Sequence, residues 1–387
     1  MRKPLIAAVL LATPLLAACT ENTRGDDAAG SGDSRTVAVT STDDACELSP
    51  VEVPAGTLTF EVTNKGSQVT EFYLLREDGL GIVGEVENVG PQLSRQLVVN
   101  APAGSYVTAC KPGMKGEGLR ADFTVTESDE GPTASADDQR LVDQALANYQ
   151  AYVQDQSDQL VEKTRRFVRL YEAGRDDQAR ALYPLARTHW ERIETVAESF
   201  GDLDPLTDAR EADLEEGQRW TGWHRIENDL WPPASGYTPL TPAERTTYAE
   251  DLLANTTTLD RRIQKLTYTV DQIANGSRGL LEEVANGKIT GEEEIWSHTD
   301  LWDFQANVDG ARVAFEGVQP IVEQKDPELA TTLDRRFAAL QKLLDAQRTD
   351  TGFVFYDELS QQEIQELSNA VNALSEPLSH LTAAVLS

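Results

Sequence analysis

The chain has 387 residues, of which 34 are Lys or Arg and 65 are Asp or Glu, for a formal charge of −31. Negative charge on this scale excludes nucleic acid and electrostatic adhesion to anionic lipid, and makes cations the natural partners. Beyond the first residues no stretch is apolar enough to cross a bilayer.

Residues 1–18 combine a basic start at Arg2 and Lys3 with a short apolar run ending in Leu16-Ala17-Ala18, just before Cys19. The pattern reads as a secretory signal, and small residues before a cysteine match a bacterial lipobox, which would make Cys19 the lipidated first residue of an exported, membrane-anchored protein. Residues 19–35 are rich in Gly, Asp and Ser and read as a flexible tether. Cys46 and Cys110 remain. In an oxidising compartment they are either a disulfide or metal thiolates.

Residues 36–126 alternate apolar and polar side chains in short runs closed by Gly and Pro, as in Leu58-Thr59-Phe60-Glu61-Val62 and Phe123-Thr124-Val125. Period two at this spacing predicts a small β-sandwich. Residues 127–136 read as an acidic linker. From 137 to 387 the period becomes helical, with long helices expected near 137–173, 176–200, 242–275, 326–348 and 358–386. Gly174, Gly201 and Gly276 stand where helices should stop. A shorter helix before Pro232-Pro233 and another over about 297–319 bring the total to seven or eight, more than one four-helix bundle needs, which calls for two fused bundles or a bundle with a helical annex.

Three polar clusters fall on separate helices of this second region. Gly222-Trp223-His224-Arg225-Ile226-Glu227 places an imidazole and a carboxylate three residues apart, on one helix face. Glu191 and Glu194 have the same spacing in His189-Trp190-Glu191-Arg192-Ile193-Glu194, and the third cluster is Ser297-His298-Thr299-Asp300-Leu301-Trp302-Asp303. Facing helices of a bundle deliver such ligands inward without loops. Oxygen-rich sets with one or two imidazoles suit iron, manganese or zinc, and suit copper(I) poorly. Trp220, Trp223 and Trp231 should bury the His224 segment, and buried polar groups need partners. Glu292-Glu293-Glu294 reads as a solvated run of which one member could reach the site. Protonation of His224 should weaken binding below about pH 6, the usual imidazole range.

These three segments, together with Glu198-Ser199-Phe200-Gly201-Asp202-Leu203-Asp204, resemble the imelysin-like domain of the EfeO-type iron uptake lipoproteins. Members of the longer type carry a cupredoxin-like domain in front, so the resemblance covers nearly the whole chain. It implies a protein that captures ferrous or ferric iron and passes it to an EfeU-type permease, alongside an EfeB-type haem peroxidase. The family motif Gly-x-His-x-x-Glu maps onto His224 and Glu227. The resemblance also implies Glu191 and Glu194 as ligands, with Asp208 a weaker member, and we add His298 and Asp303 as supporting groups.

The sandwich resembles a cupredoxin but contains no histidine, which excludes an ordinary type 1 copper centre. Cys110, Met114, Glu71 and Cys46 are left as a set for copper or zinc, or for assisting iron oxidation. The competing reading is a Cys46–Cys110 disulfide in a domain that only docks. Two other functions stay open. A zinc peptidase would need a run such as His-Glu-x-x-His, which is absent, and a metal-independent adhesin or polysaccharide-binding protein would need only the sandwich and the acidic surface.

Overall fold

The computed structural model describes residues 35–79, 82–114, 116, 118–128, 136–214 and 217–387. The expected signal segment, Cys19 and the tether up to residue 34 lie outside them.

The amino-terminal part is a sandwich of nine strands: β1 (Thr36–Ser41), β2 (Cys46–Ser49), β3 (Glu52–Pro54), β4 (Gly56–Asn64), β5 (Thr70–Arg76), β6 (Ile82–Val89), β7 (Ser94–Ala101), β8 (Gly104–Cys110) and β9 (Leu119–Thr126). One sheet has the order β2-β1-β4-β7 and the other β3-β9-β8-β5-β6. Alternation decides which side chains face inward. In β4, Leu58, Phe60 and Val62 are fully buried, and the Phe60 ring meets Phe72 and Phe123 of the opposite sheet at 5.2 and 5.3 Å. Cys46 of β2 and Cys110 of β8 are joined in a disulfide that ties the two sheets together.

The rest is helical: α1 (Ala136–Glu172), α2 (Asp176–Glu191), α3 (Glu194–Glu198), α4 (Asp204–Thr207), α5 (Trp223–Leu230), α6 (Pro242–Ile263), α7 (Val270–Asn286), α8 (Asp300–Lys325), α9 (Pro327–Ala346), a two-stranded hairpin of β10 (Arg348–Thr349) and β11 (Gly352–Phe353), α10 (Gln361–Leu378) and α11 (Leu381–Leu386). Helices α1, α2 and α6 form one bundle with α8, while α7, α9, α10 and α11 form a second with it. The two bundles are fused through α8 and share one apolar core.

Three expected helices are broken, the last of them, 358–386, at Ser379 and His380 between α10 and α11. The segment 176–200 divides after Glu191, because Asn307 of α8 donates its amide N–H to the Glu191 carbonyl at 2.8 Å, the acceptor a continuing helix would have used. A Cβ on Gly310 would lie 2.4 Å from the Arg192 carbonyl, so α8 approaches this break closely. The segment 242–275 divides at 264–269. Thr269 begins a new helix, its backbone N–H held by Gln272 Oε1 at 3.0 Å, a start signal that the longer apolar period concealed. Gly276 therefore stands inside α7 rather than ending a helix. A Cβ there would come 3.2 Å from Thr195 Oγ1, so the glycine allows α7 to pack closely on α3.

The sandwich rests on α7. Asn275 donates to the Val98 carbonyl (2.9 Å), Asp271 accepts from Asn100 N–H (2.8 Å), and Arg278 donates to the Glu85 carbonyl (3.0 Å). Arg95 and Glu282 add an ion pair at 2.6 Å. Among the described residues no helix is long and apolar enough to cross a membrane.

Candidate metal centre

The short helix α5 presents His224 and Glu227 because Gly222 starts it. Gly222 has φ 86°, and a Cβ there would stand 2.0 Å from the Thr207 carbonyl oxygen. Only glycine fits, and the contact presses the end of α4, with Asp208 behind it, against the start of α5. Glu227 Oε1 accepts the backbone N–H groups of Trp296 (3.0 Å) and Ser297 (2.7 Å), and so anchors the loop that carries Glu293 and Glu294. The break between α2 and α3 turns Glu191 and Glu194 toward the same place.

Three groups of donors result, each with ligand atoms within 4.8 Å of one another: Asp208, His224 and Glu293; His224, Glu227 and Glu294; and Glu191, Glu194, Asp208 and Glu293. Every one of the five ligands expected from sequence is in this centre. Its two further members, Glu293 and Glu294, come from the run read as solvated. Glu292 is exposed, but Glu293 and Glu294 are 8% and 0% exposed. The signal available for them was their closeness in sequence to the Ser297 to Asp303 cluster.

Two buried cations hold these carboxylates together. Arg187 is completely buried and pairs with Glu191, Asp208, Glu293 (3.3 Å), Glu294 (2.6 Å) and Asp303 (3.4 Å). Lys288, equally buried, reaches Glu191 and Glu194 at 3.1 Å and Glu293 at 3.7 Å. Neither was singled out in the sequence, where an isolated Arg or Lys carries no local mark of burial. Asn307 also donates to Glu194 at 2.8 Å, and Tyr183 to Glu294 at 3.2 Å.

Crowding of like charge away from water governs the titration. Burial, then Glu191, pushes the Glu194 carboxyl well above its ordinary range, and burial and Glu227 do the same to Glu294. Burial raises Glu293 too, but Lys288, His224 and Arg187 outweigh it and hold that carboxyl well below the usual value. For His224, burial and the Arg187 guanidinium favour the neutral ring. Asp208, Glu227 and Glu293 overcome both and raise it to about 10. Its Nε2 lies 3.5 Å from both Asp208 Oδ1 and Glu293 Oε1, too far for a hydrogen bond, and this buried atom has no hydrogen-bond partner among the described residues. Oxygens and one imidazole nitrogen at these separations suit a borderline or hard cation, since ligands on opposite sides of one ion stand at about twice a 2.0–2.5 Å bond.

The expected supporting groups divide. Asp303 acts through Arg187, as above. His298 contributes its backbone, with φ 58°, donating to the Glu294 carbonyl at 2.7 Å and accepting from Tyr356 N–H at 2.9 Å, and its ring belongs to none of the three groups. His189 is a core histidine whose Nδ1 lies 2.9 Å from Gln156 Oε1; its Nε2 is buried without a hydrogen-bond partner among the described residues, and its ring belongs to none of the three groups. In the sandwich, the disulfide removes Cys46 and Cys110 from the thiolate set. Glu71 accepts a hydrogen bond from Tyr73 at 2.8 Å, and Met114 is 43% exposed at a left-handed position, φ 58°.

Comparison with known proteins identifies both domains. The Imelysin family model matches residues 145–381, and the model of a cupredoxin-like domain matches residues 6–125. Similar proteins include the "Iron uptake system component EfeO" of Escherichia coli (strain K12), of Shigella flexneri and of Shigella sonnei (strain Ss046). Each is 35% identical over 356 residues, 91% of this chain and 92% of the relative. The chain belongs to the imelysin family and is of the EfeO type, a cupredoxin-like sandwich followed by an imelysin-like helical domain.

Proposed function

We propose that this protein is an extracytoplasmic iron-binding component of an iron uptake system, anchored to the membrane by lipid on Cys19. It captures iron in the helical domain and hands it to an EfeU-type permease, working beside an EfeB-type haem peroxidase. The similarity to relatives named as iron uptake components supports the general role. The observation that carries the choice of site is His224 Nε2, buried without a hydrogen-bond partner and facing Asp208 and Glu293.

The iron is cargo rather than a resident cofactor. Glu191, Glu194, Asp208 and Glu293 supply the oxygens, and His224 favours transition metals over calcium and magnesium. Arg187 and Lys288 keep the carboxylates from repelling each other apart when no ion is bound. Binding must then move charge and protons rather than fill a neutral cage. Release to a partner follows the reverse course, as protons return to His224 and the carboxylates. We read the protein as non-catalytic, and the sandwich as a docking module secured to α7.

Calorimetric titration of residues 20–387 with ferrous iron under anoxia, and with ferric citrate, tests this reading. Stoichiometric binding lost in a Glu191→Gln, Glu293→Gln variant is the expected result. Undiminished binding in that variant overturns the assignment of the site.

A further inference from the structure

A cavity of about 470 Å³ connects the centre with the surface. Glu194, Asp208 and Glu293 of the centre line it together with Asp204, Asp213 and Glu283. The Asp213 side chain is 51% exposed and that of Glu293 9%, so the cavity runs from solvent inward. Among the described residues that line it, Arg210 is the one basic side chain.

Arg210 spans this opening. Its Nε holds Asp213 Oδ2 at 2.6 Å and its Nη1 faces Glu293 Oε2 at 3.6 Å. The first contact is a charge-assisted hydrogen bond; the second is an ion pair without one. Glu293 is thus divided. Its Oε1 faces inward to Arg187 (3.3 Å), His224 (3.5 Å) and Lys288 (3.7 Å), and its Oε2 faces outward to Arg210. A cation entering along the cavity meets Oε2 in competition with the guanidinium.

The surroundings leave the side chain, rather than the loop, as the movable part. Trp220 Nε1 donates to the Ala209 carbonyl at 2.8 Å and Thr221 Oγ1 to that of Leu206, also at 2.8 Å, which fixes the backbone on the amino-terminal side of Arg210. Gly287 leaves the space the guanidinium occupies, since a Cβ there would lie 3.2 Å from Nη1.

We propose that Arg210 is a cationic gate for iron, closed while it pairs with Glu293 and opened when the guanidinium, still held by Asp213, swings away from Glu293 and yields Oε2 to the incoming ion. The proposal rests on the metal-binding reading above. It makes a kinetic claim that bystander charge does not. Removing a nearby positive charge that is only a bystander speeds entry and slows release, whereas removing a gate speeds both.

Stopped-flow measurement on residues 20–387 separates these, using ferrous iron under anoxia for entry and excess chelator for release, followed by the fluorescence of Trp190, Trp220 and Trp223. With Arg210→Gln both rates should rise, by about tenfold, within the range over which charged clefts alter association. Arg210→Lys keeps the charge but shortens the reach to Glu293. It should raise both rates by a smaller factor, and it supplies the test should the Gln variant misfold. Faster entry with slower release, or unchanged rates, overturns the gate while the metal site stands. Wild-type protein that takes up no iron overturns both.

Discussion

The helical centre and the ligand positions of the sandwich contain similar residue types in opposite states. In the helices, six carboxylates and one imidazole converge from α2, α3, α5 and two loops, and His224 Nε2 is left without a partner. In the sandwich, the two sulfurs are spent on each other, Glu71 is engaged by Tyr73, and Met114 is partly exposed at the surface. Residue type nominates a metal site, but convergence with unmet bonding capacity is what makes one.

The sharpest way to break this comparison is to remove ligands from each region. Glu191→Gln with Glu293→Gln should weaken iron binding about 1,000-fold, some 4 kcal/mol, while Glu71→Gln with Met114→Ala should leave the stoichiometry of calorimetric titration unchanged. Equal losses in both would show that the two regions share one site. The next effect is on stability. Cys46→Ser with Cys110→Ser opens a link between residues 64 apart in sequence and should cost the sandwich about 3 kcal/mol. Denaturant melts should show that loss, with iron binding by the helices retained. Gly222→Ala, at φ 86° and with no room for a Cβ, should cost about 2 kcal/mol. Unlike the cysteine change it should also weaken iron binding, because the α4–α5 contact positions both Asp208 and His224.

The same contrast explains what could be read in advance. The sandwich and the helical period were legible because alternation and 3.6-residue spacing are local, as Leu58, Phe60 and Val62 illustrate. His224 with Glu227, and Glu191 with Glu194, were legible for the same reason, each pair being three residues apart. Glu293, Arg187 and Lys288 were not, since their burial depends on partners about a hundred residues away, such as the reach of Arg187 to Glu293 and of Lys288 to Glu194. The helix break at Glu191 was hidden likewise, being imposed by Asn307 at a separation of 116 residues.

The smallest effect is one that extends a sequence expectation to higher pH. An ordinary imidazole would let affinity level off above about pH 7, but His224 is raised to about 10, so across the neutral range the metal-free ring carries a proton that the ion must displace. Apparent affinity for ferrous iron should therefore still climb about tenfold per pH unit between 6 and 8, or about 1.4 kcal/mol for this one proton. Stability of the metal-free protein runs the other way. A histidine with a raised folded value stabilises fully below its unfolded value near 6.5 and loses that contribution as pH rises toward 10. Calorimetry in buffers of different ionisation enthalpy counts the protons released per ion, and His224→Gln should lower the count at pH 7 by one. An unchanged count would place the displaced proton on the carboxylates. Since the sandwich has no histidine, a full proton lost from the count also assigns the binding event to the helical domain.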